Sequence, residues 1–271
     1  WTGYVRGMAA ELAAAGAAPR GLDLAIAGDV PQGAGLSSSA SLLVAIGQAF
    51  VTVHGSGLDG RRLALMARRA ENDFVGTRCG VMDPLISACG RAEHALLIDC
   101  RSLDTRAVPL PPGVAVLIAH SMLRRGLAGS AYNERRAACE AAARHFGVPA
   151  LRDVDAGMLD ADRSLDALLR RRARHVVTEN ARTLDAAQAL AAGDLPRIGR
   201  LMAASHASMR DDFEITLPPI DRLVEIAAQA IGDEGGARMT GAGFGGCVVA
   251  LVRESRVEAV REAIAARYRA P

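Results

Sequence analysis

The residues from Pro31 to Ala40, Pro-Gln-Gly-Ala-Gly-Leu-Ser-Ser-Ser-Ala, hold the densest chemistry of this chain. Gly33 and Gly35 can adopt backbone conformations that side chains resist, and they let a ligand approach main-chain N–H groups closely. Ser37, Ser38 and Ser39 add hydroxyls able to bind phosphate oxygens or a metal ion, and they open a helical stretch over 38–53. A helix start presents unpaired N–H groups and the positive end of the helix dipole. An apolar run over 22–30 that reads as a strand precedes the turn. Strand, glycine turn and hydroxyl-rich helix start together make a cradle for the phosphates of a nucleotide. The plain alternative is a tight turn with a serine N-cap.

The chain contains no lysine; all 32 basic residues are arginine. This excludes a Walker A loop and the strand lysine of protein kinases, both of which use Lys on phosphate oxygens. The dinucleotide fingerprint is excluded too, because the third glycine of that pattern is missing after Gly35. Phosphate handling here falls to backbone N–H groups, serines, a metal ion and arginine.

Two further stretches carry candidate chemistry. In Cys79-Gly80-Val81-Met82-Asp83-Pro84-Leu85, an acid directly before proline reads as a helix N-cap followed by a first-turn proline. On the same reasoning Glu71, in the preceding helical stretch, reads as a surface acid. The glycine run Met239-Thr240-Gly241-Ala242-Gly243-Phe244-Gly245-Gly246-Cys247 lies between two apolar strands. It reads as a hairpin bend or as a place where backbone approaches a ligand.

These stretches need a framework, and the pattern predicts mixed α and β. Strands are expected over 22–30, 94–100, 114–120, 237–240 and 246–252. Helices are expected over 4–12, 38–53, 58–74, 131–146, 165–191, 194–209, 220–231 and 256–269. The segment 108–113, rich in proline, reads as a turn. A length of 271 residues suits two domains, with the junction placed at 155/156. Half of the residues are hydrophobic and only 3% aromatic, so the core is aliphatic. A net charge of +2 shows no nucleic-acid stripe. The arginine runs, 135–136 and 170–172 among them, read as solvated helix faces. No apolar run is long enough to span a membrane, and nothing marks a protein partner. Five cysteines without a C-x-x-C pair read as free thiols in a reducing cytoplasm. The chain opens on Trp1, already in a helical pattern, and reads as the interior of a longer protein.

The combination resembles the GHMP small-molecule kinases, and among them the galactokinases. The phosphate motif matches at 31–40 and the C-terminal glycine motif at 240–246. The stretches 79–90, 94–103, 132–140, 179–182 and 205–215 (the last SHASMRDDFEI) resemble galactokinases in particular. The resemblance runs over essentially the whole chain.

It implies an α+β fold of two domains: an N-terminal domain, residues 1–155, like ribosomal protein S5 domain 2, and a ferredoxin-like C-terminal domain, residues 156–271. It further implies transfer of a phosphoryl group from ATP to the C1 hydroxyl of α-D-galactose. Gly33, Ala34, Gly35, Leu36, Ser37, Ser38 and Ser39 would wrap the ATP phosphates. Ser39 and Glu71 would hold Mg2+, Asp83 would be catalytic, and Gly80 and Tyr132 would contact the sugar. Trp1 would correspond to a residue lining the adenine pocket. Relatives acting on N-acetylgalactosamine, mevalonate or homoserine, and a non-catalytic galactose sensor, share much of this pattern.

The sequence departs from the family in two ways. The family's first motif, with its catalytic arginine and several sugar-recognising groups, lies upstream of Trp1, and the final strand is missing after Pro271. These 271 residues alone are therefore expected to be inactive. Pro84 also stands where galactokinases usually have Gln.

Overall fold

In the computed structural model, residues 1–17, 20–32, 35–76, 79–123 and 128–270 are described, with 128–130 described by backbone alone. They form two compact units, Trp1–Pro109 and Leu110–Pro271.

The first unit is helical with one small sheet. Helix α1, Thr2–Ala14, buries Gly7, Met8 and Leu12. Helix α2, Ser38–His54, is apolar almost throughout and stops at Gly55 in the left-handed conformation. Helix α3, Gly60–Arg69, starts where the Asp59 side chain accepts the Arg62 N–H at 2.8 Å. It buries Leu63, Ala64, Met66 and Ala67 and runs into a π-helical turn, Ala70–Val75. Helix α4 is Met82–Cys89. Met8, Leu12, Leu43, Ile46, Phe50, Leu63 and Met66 form the shared core.

Strands β1, His94–Ile98, and β2, Thr105–Pro109, pair antiparallel, with Leu97 opposite Arg106. Strand β2 falls partly where the sequence suggested a turn. Pro109 closes its last rung, at a strand end where a missing N–H is tolerated. The strand expected over 22–30 is absent: these residues have no regular structure. Leu22 and Leu24 pack on the core, but Ile26 is 46% exposed. Alternating apolar residues make a strand only where a neighbouring strand takes up their backbone groups, and this segment has no ladder.

The second unit is built on a three-stranded antiparallel sheet. In chain order its elements are β3 (Val114–His120), α5 (Ala128–His145), α6 (Ala156–Ala161), α7 (Ala167–Ala192), α8 (Leu195–Ser208), α9 (Pro218–Ile231), β4 (Gly235–Met239), β5 (Cys247–Arg253) and α10 (Val257–Arg267). The strand order is β3-β5-β4, with Ile118 opposite Val249 and Ala237 opposite Ala250. Ile220, Leu223, Val224 and Ile231 of α9 and Val260 of α10 cover one face through Val248, Ala250 and Val252. Leu195, Ile198 and Met202 of α8 cover the other through Val114, Val249 and Leu251.

A second cluster joins α5, α6 and α7 through Ala142, Ala143, Leu159, Ala173 and Val177. The junction expected at 155/156 falls inside this unit, where Asp155 caps α6 by accepting the Met158 N–H at 2.7 Å. The compact division lies at 109/110 because β3 is hydrogen-bonded to β5. No described helix is long and apolar enough to cross a membrane.

Candidate functional site

Of the phosphate-loop residues, Gly33 and Ala34 lie outside the described residues. Gly35 has φ +76°, and Ser37, immediately before α2, has φ +61° and ψ +33°. A left-handed serine costs about 1–3 kcal/mol, and such residues gather at ligand clamps. Ser37 occupies the N-cap position but its hydroxyl makes no capping bond, which corrects the serine-cap reading. The first N–H groups of a seventeen-residue helix thus have no side-chain cap, the arrangement that favours an anion. Leu36, Ser38 and Ser39 beside it are half-buried. Helix α2 packs against α1, α3, α4 and the π turn, so one core fixes the loop's exit and the elements bearing the acids.

Glu71 is not a surface acid: it sits in the π turn and is 4% exposed. The extra residue per turn in a π segment redirects side chains, and such turns recur at functional sites. The Cys79 thiol donates to Glu71 Oε2 at 3.2 Å, and the Cys79 N–H donates to Asn72 Oδ1 at 2.9 Å. Burial, then the hydrogen bond and charge of Glu71, then the charge of Asp83, push the Cys79 thiol up to about 12. Glu71 and Asp83 are therefore both within electrostatic reach of one thiol.

Asp83 is not the N-cap of its helix. Val81 holds that position, and Asp83 and Pro84 are the second and third residues of α4. The first ladder bond runs from the Leu85 N–H to the Val81 carbonyl at 3.0 Å, so Pro84 removes no helical hydrogen bond. Capping does not occupy the Asp83 carboxylate, and proline in place of the family's Gln leaves the helix intact. Gly80, just before, is exposed.

Among the described residues, no three His, Cys, Asp or Glu side chains gather closely enough to hold a metal unaided. One buried carboxylate with serine hydroxyls nonetheless suits Mg2+, which keeps several waters and takes substrate phosphates as ligands.

In the second unit, Tyr132 lies on α5 with 46% of its surface exposed. The glycine run forms the connection between β4 and β5. The Thr240 N–H donates to the Cys247 carbonyl at 2.9 Å, and the Phe244 N–H to the Ile215 carbonyl at 2.8 Å. Gly243 has φ +86°, and a Cβ there would meet the Ile215 carbonyl at 2.6 Å, so the backbone approach excludes any side chain. Two arginines read as solvated turn inward. Arg172 is 2% exposed, and Arg135 donates to main-chain carbonyls. The missed signal was spacing: Arg172, His175 and Glu179 recur at i, i+3 and i+7, one face of a helix.

Residues 3–91 match the family model for the GHMP kinases N terminal domain, and residues 186–270 that for GHMP kinases C terminal. The chain is 36% identical to the galactokinase of Lactococcus lactis, crystallised with galactose; the match has a TM-score of 0.88 and covers 99% of this chain and 71% of that one. The fold alone is also similar to a Methanococcus jannaschii mevalonate kinase (18% identity, TM-score 0.63, 97% of this chain and 72% of that one). A Cytophaga hutchinsonii homoserine kinase is more distant (16%, TM-score 0.51, 88% and 64%). With both family domains in order and this identity over almost its full length, the chain belongs to the GHMP kinase family.

Proposed function

We propose that this kinase transfers a phosphoryl group from ATP to the C1 hydroxyl of α-D-galactose. The likeness to a galactose-bound galactokinase over 99% of the chain carries the reading, and the position of Asp83 outside the capping role supports it.

In this reading, main-chain N–H groups at the start of α2 and the hydroxyls of Ser37, Ser38 and Ser39 hold the ATP phosphates. Ser39 and Glu71 hold Mg2+, which when bound neutralises charge on phosphate oxygens. Asp83 accepts or orients the proton of the sugar's C1 hydroxyl, while Gly80 and Tyr132 contact the sugar. Phosphoryl transfer asks the protein mainly for positioning and charge stabilisation, which fits a helix start and two acid-bearing elements packed on one another. None of the described cysteines is in a disulfide, in keeping with a cytoplasmic setting.

Asp83→Asn tests the assignment, because it removes the charge at nearly constant volume. In a protein that also carries the family's first motif, turnover should fall at least ~10²-fold with little change in Tm; near-normal turnover in the folded variant would overturn the role. Galactose should have the highest kcat/KM in an ADP-release assay alongside N-acetylgalactosamine, mevalonate and homoserine. Preference for another substrate would reassign the enzyme, and galactose binding without ADP release would point to a sensor.

A further inference from the structure

The string Ser205–Ile215, distinctive in sequence, has no part in the chemistry above. Its backbone ends in a π-helical turn, Met209–Phe213, followed by Glu214 at φ +53°. Two guanidinium groups hold the three consecutive carbonyls at this end. Arg172 donates to the Asp212 carbonyl at 2.5 Å and to the Glu214 carboxylate at 2.5 Å. Arg135 Nε donates to the Phe213 carbonyl at 2.7 Å and its Nη2 to the Glu214 carbonyl at 3.0 Å. The next carbonyl, of Ile215, receives the Phe244 N–H of the glycine hairpin. Arg135 reaches that hairpin a second way, its guanidinium carbon lying 5.7 Å from the centre of the Phe244 ring.

The side chains of the string brace the same region. Ser208 donates to Asp212 Oδ2 at 3.0 Å and lies 3.1 Å from His175 Nδ1, while the His175 ring stacks on Phe213 at 4.5 Å. Ser205 donates to Glu179 Oε1 at 2.6 Å and accepts from Arg238 Nη1 at 3.0 Å. The Met239 N–H, where the hairpin begins, faces His206 Nδ1 at 3.4 Å.

The hairpin has little conformational preference of its own. Gly241, Gly243, Phe244, Gly245 and Gly246 all have positive φ, and glycine loses the most freedom on ordering. Burial and the nearby charge of Arg172 both pull Arg135 below the ordinary guanidinium value. A cation kept there against both influences is held by its contacts. Only a planar fork can serve two carbonyls and face a ring at once; a lysine is a point charge.

We propose that Arg135 is a positioning residue of the kinase site: it sets the place of the Gly241–Gly246 hairpin through the backbone of residues 213–215 and through Phe244. Its bearing on catalysis rests on the kinase reading above and on the reading of the glycine run as a place where backbone approaches a ligand. Tyr132, proposed to touch the sugar, lies one turn earlier on the same helix, so one element carries both a substrate contact and the hairpin's anchor.

The test uses the full chain with Arg135→Met, which keeps length but removes every donor, and Arg135→Lys, which keeps charge but loses the fork. In hydrogen exchange, amides of the hairpin should open about tenfold faster in Arg135→Met, the scale of one lost bond to a charged group. Arg135→Lys should fall between Met and wild type, with α9 and β5 unchanged in both. In the active enzyme, sugar KM should rise more than kcat falls. Wild-type protection of the hairpin in either folded variant, or uniform loosening of the second unit, would overturn the proposal. Exchange needs no turnover. A loosened hairpin in a chain that transfers no phosphate would uphold the positioning and count against the kinase reading alone.

Discussion

Cys79, read only as a free thiol, is tied to two of the residues proposed for the site. Its sulfur lies against Glu71, and burial with two nearby carboxylates keeps the proton on it. The thiolate is the reactive form, so iodoacetamide at pH 8 should label exposed Cys100 and leave Cys79 intact over the same time. Glu71→Gln removes a charge that raises the thiol's pKa, so Cys79 should then react several-fold faster. Equal rates in the two proteins, followed by peptide mass spectrometry, would show that Glu71 does not govern the thiol.

The turn before α2 was legible at Gly35, which takes the positive φ that its residue type allows. Asp83 was misread for a local reason. Asp-Pro looks like cap and first residue, but the cap lies two positions earlier, at Val81, and the helix begins at Met82. Burial of Glu71 could not be read from a window of sequence, because it depends on a π turn.

Among elements, helices were the most legible and unpaired strands the least. Helix α7 was foreseen within two residues at either end, as its apolar period and Asp166 cap allow. The absent strand over 22–30 and the missed β2 show the opposite case, where the outcome depends on a partner remote in sequence.

One close helix-to-strand approach is equally hidden. Helix α8 meets β4 through Gly199 and Gly236, and a Cβ on Gly236 would lie 2.7 Å from the Gly199 Cα. Gly236→Ala should therefore destabilise the protein by roughly 1–3 kcal/mol through overpacking. Gly28→Ala, whose added methyl meets nothing within 4 Å, serves as the control. The urea midpoint reads the difference, and equal midpoints would mean that α8 can shift away at no cost.

At the scale of the molecule, groups poised to respond to acid collect in the second unit. Burial pulls His175 and His206 below the ordinary imidazole value. Burial pushes Glu179 up, but bonds from Ser205 and Arg182 outweigh it and hold it low. Arg172 holds Glu214 low, and His145 does so for Asp162.

For the imidazoles, the unfolded chain takes up protons below about pH 6.5 while the folded chain resists. Their contribution is intact above that pH and lost as pH falls. The carboxylates add a second loss below about pH 4, as they are forced to protonate. Exchange protection in α7 and α8 should decline between pH 7 and 5 before that of α2 and α3. Simultaneous loss in both units would contradict this.

The sheet order also sets a timetable. β5 is the central strand, and its partner β3 lies across the whole of α5 to α9 in the chain. Until β5 leaves the ribosome neither β3 nor β4 has its ladder, and α8 and α9 have no complete sheet to cover. Such distant pairing is slow because loop closure precedes its reward. The first unit closes its core from residues already synthesised, so it can fold on the ribosome while the second waits. A nascent chain arrested before Cys247 should carry a folded phosphate-loop unit followed by a long, exposed helical segment, and that interval is when chaperones have most to bind.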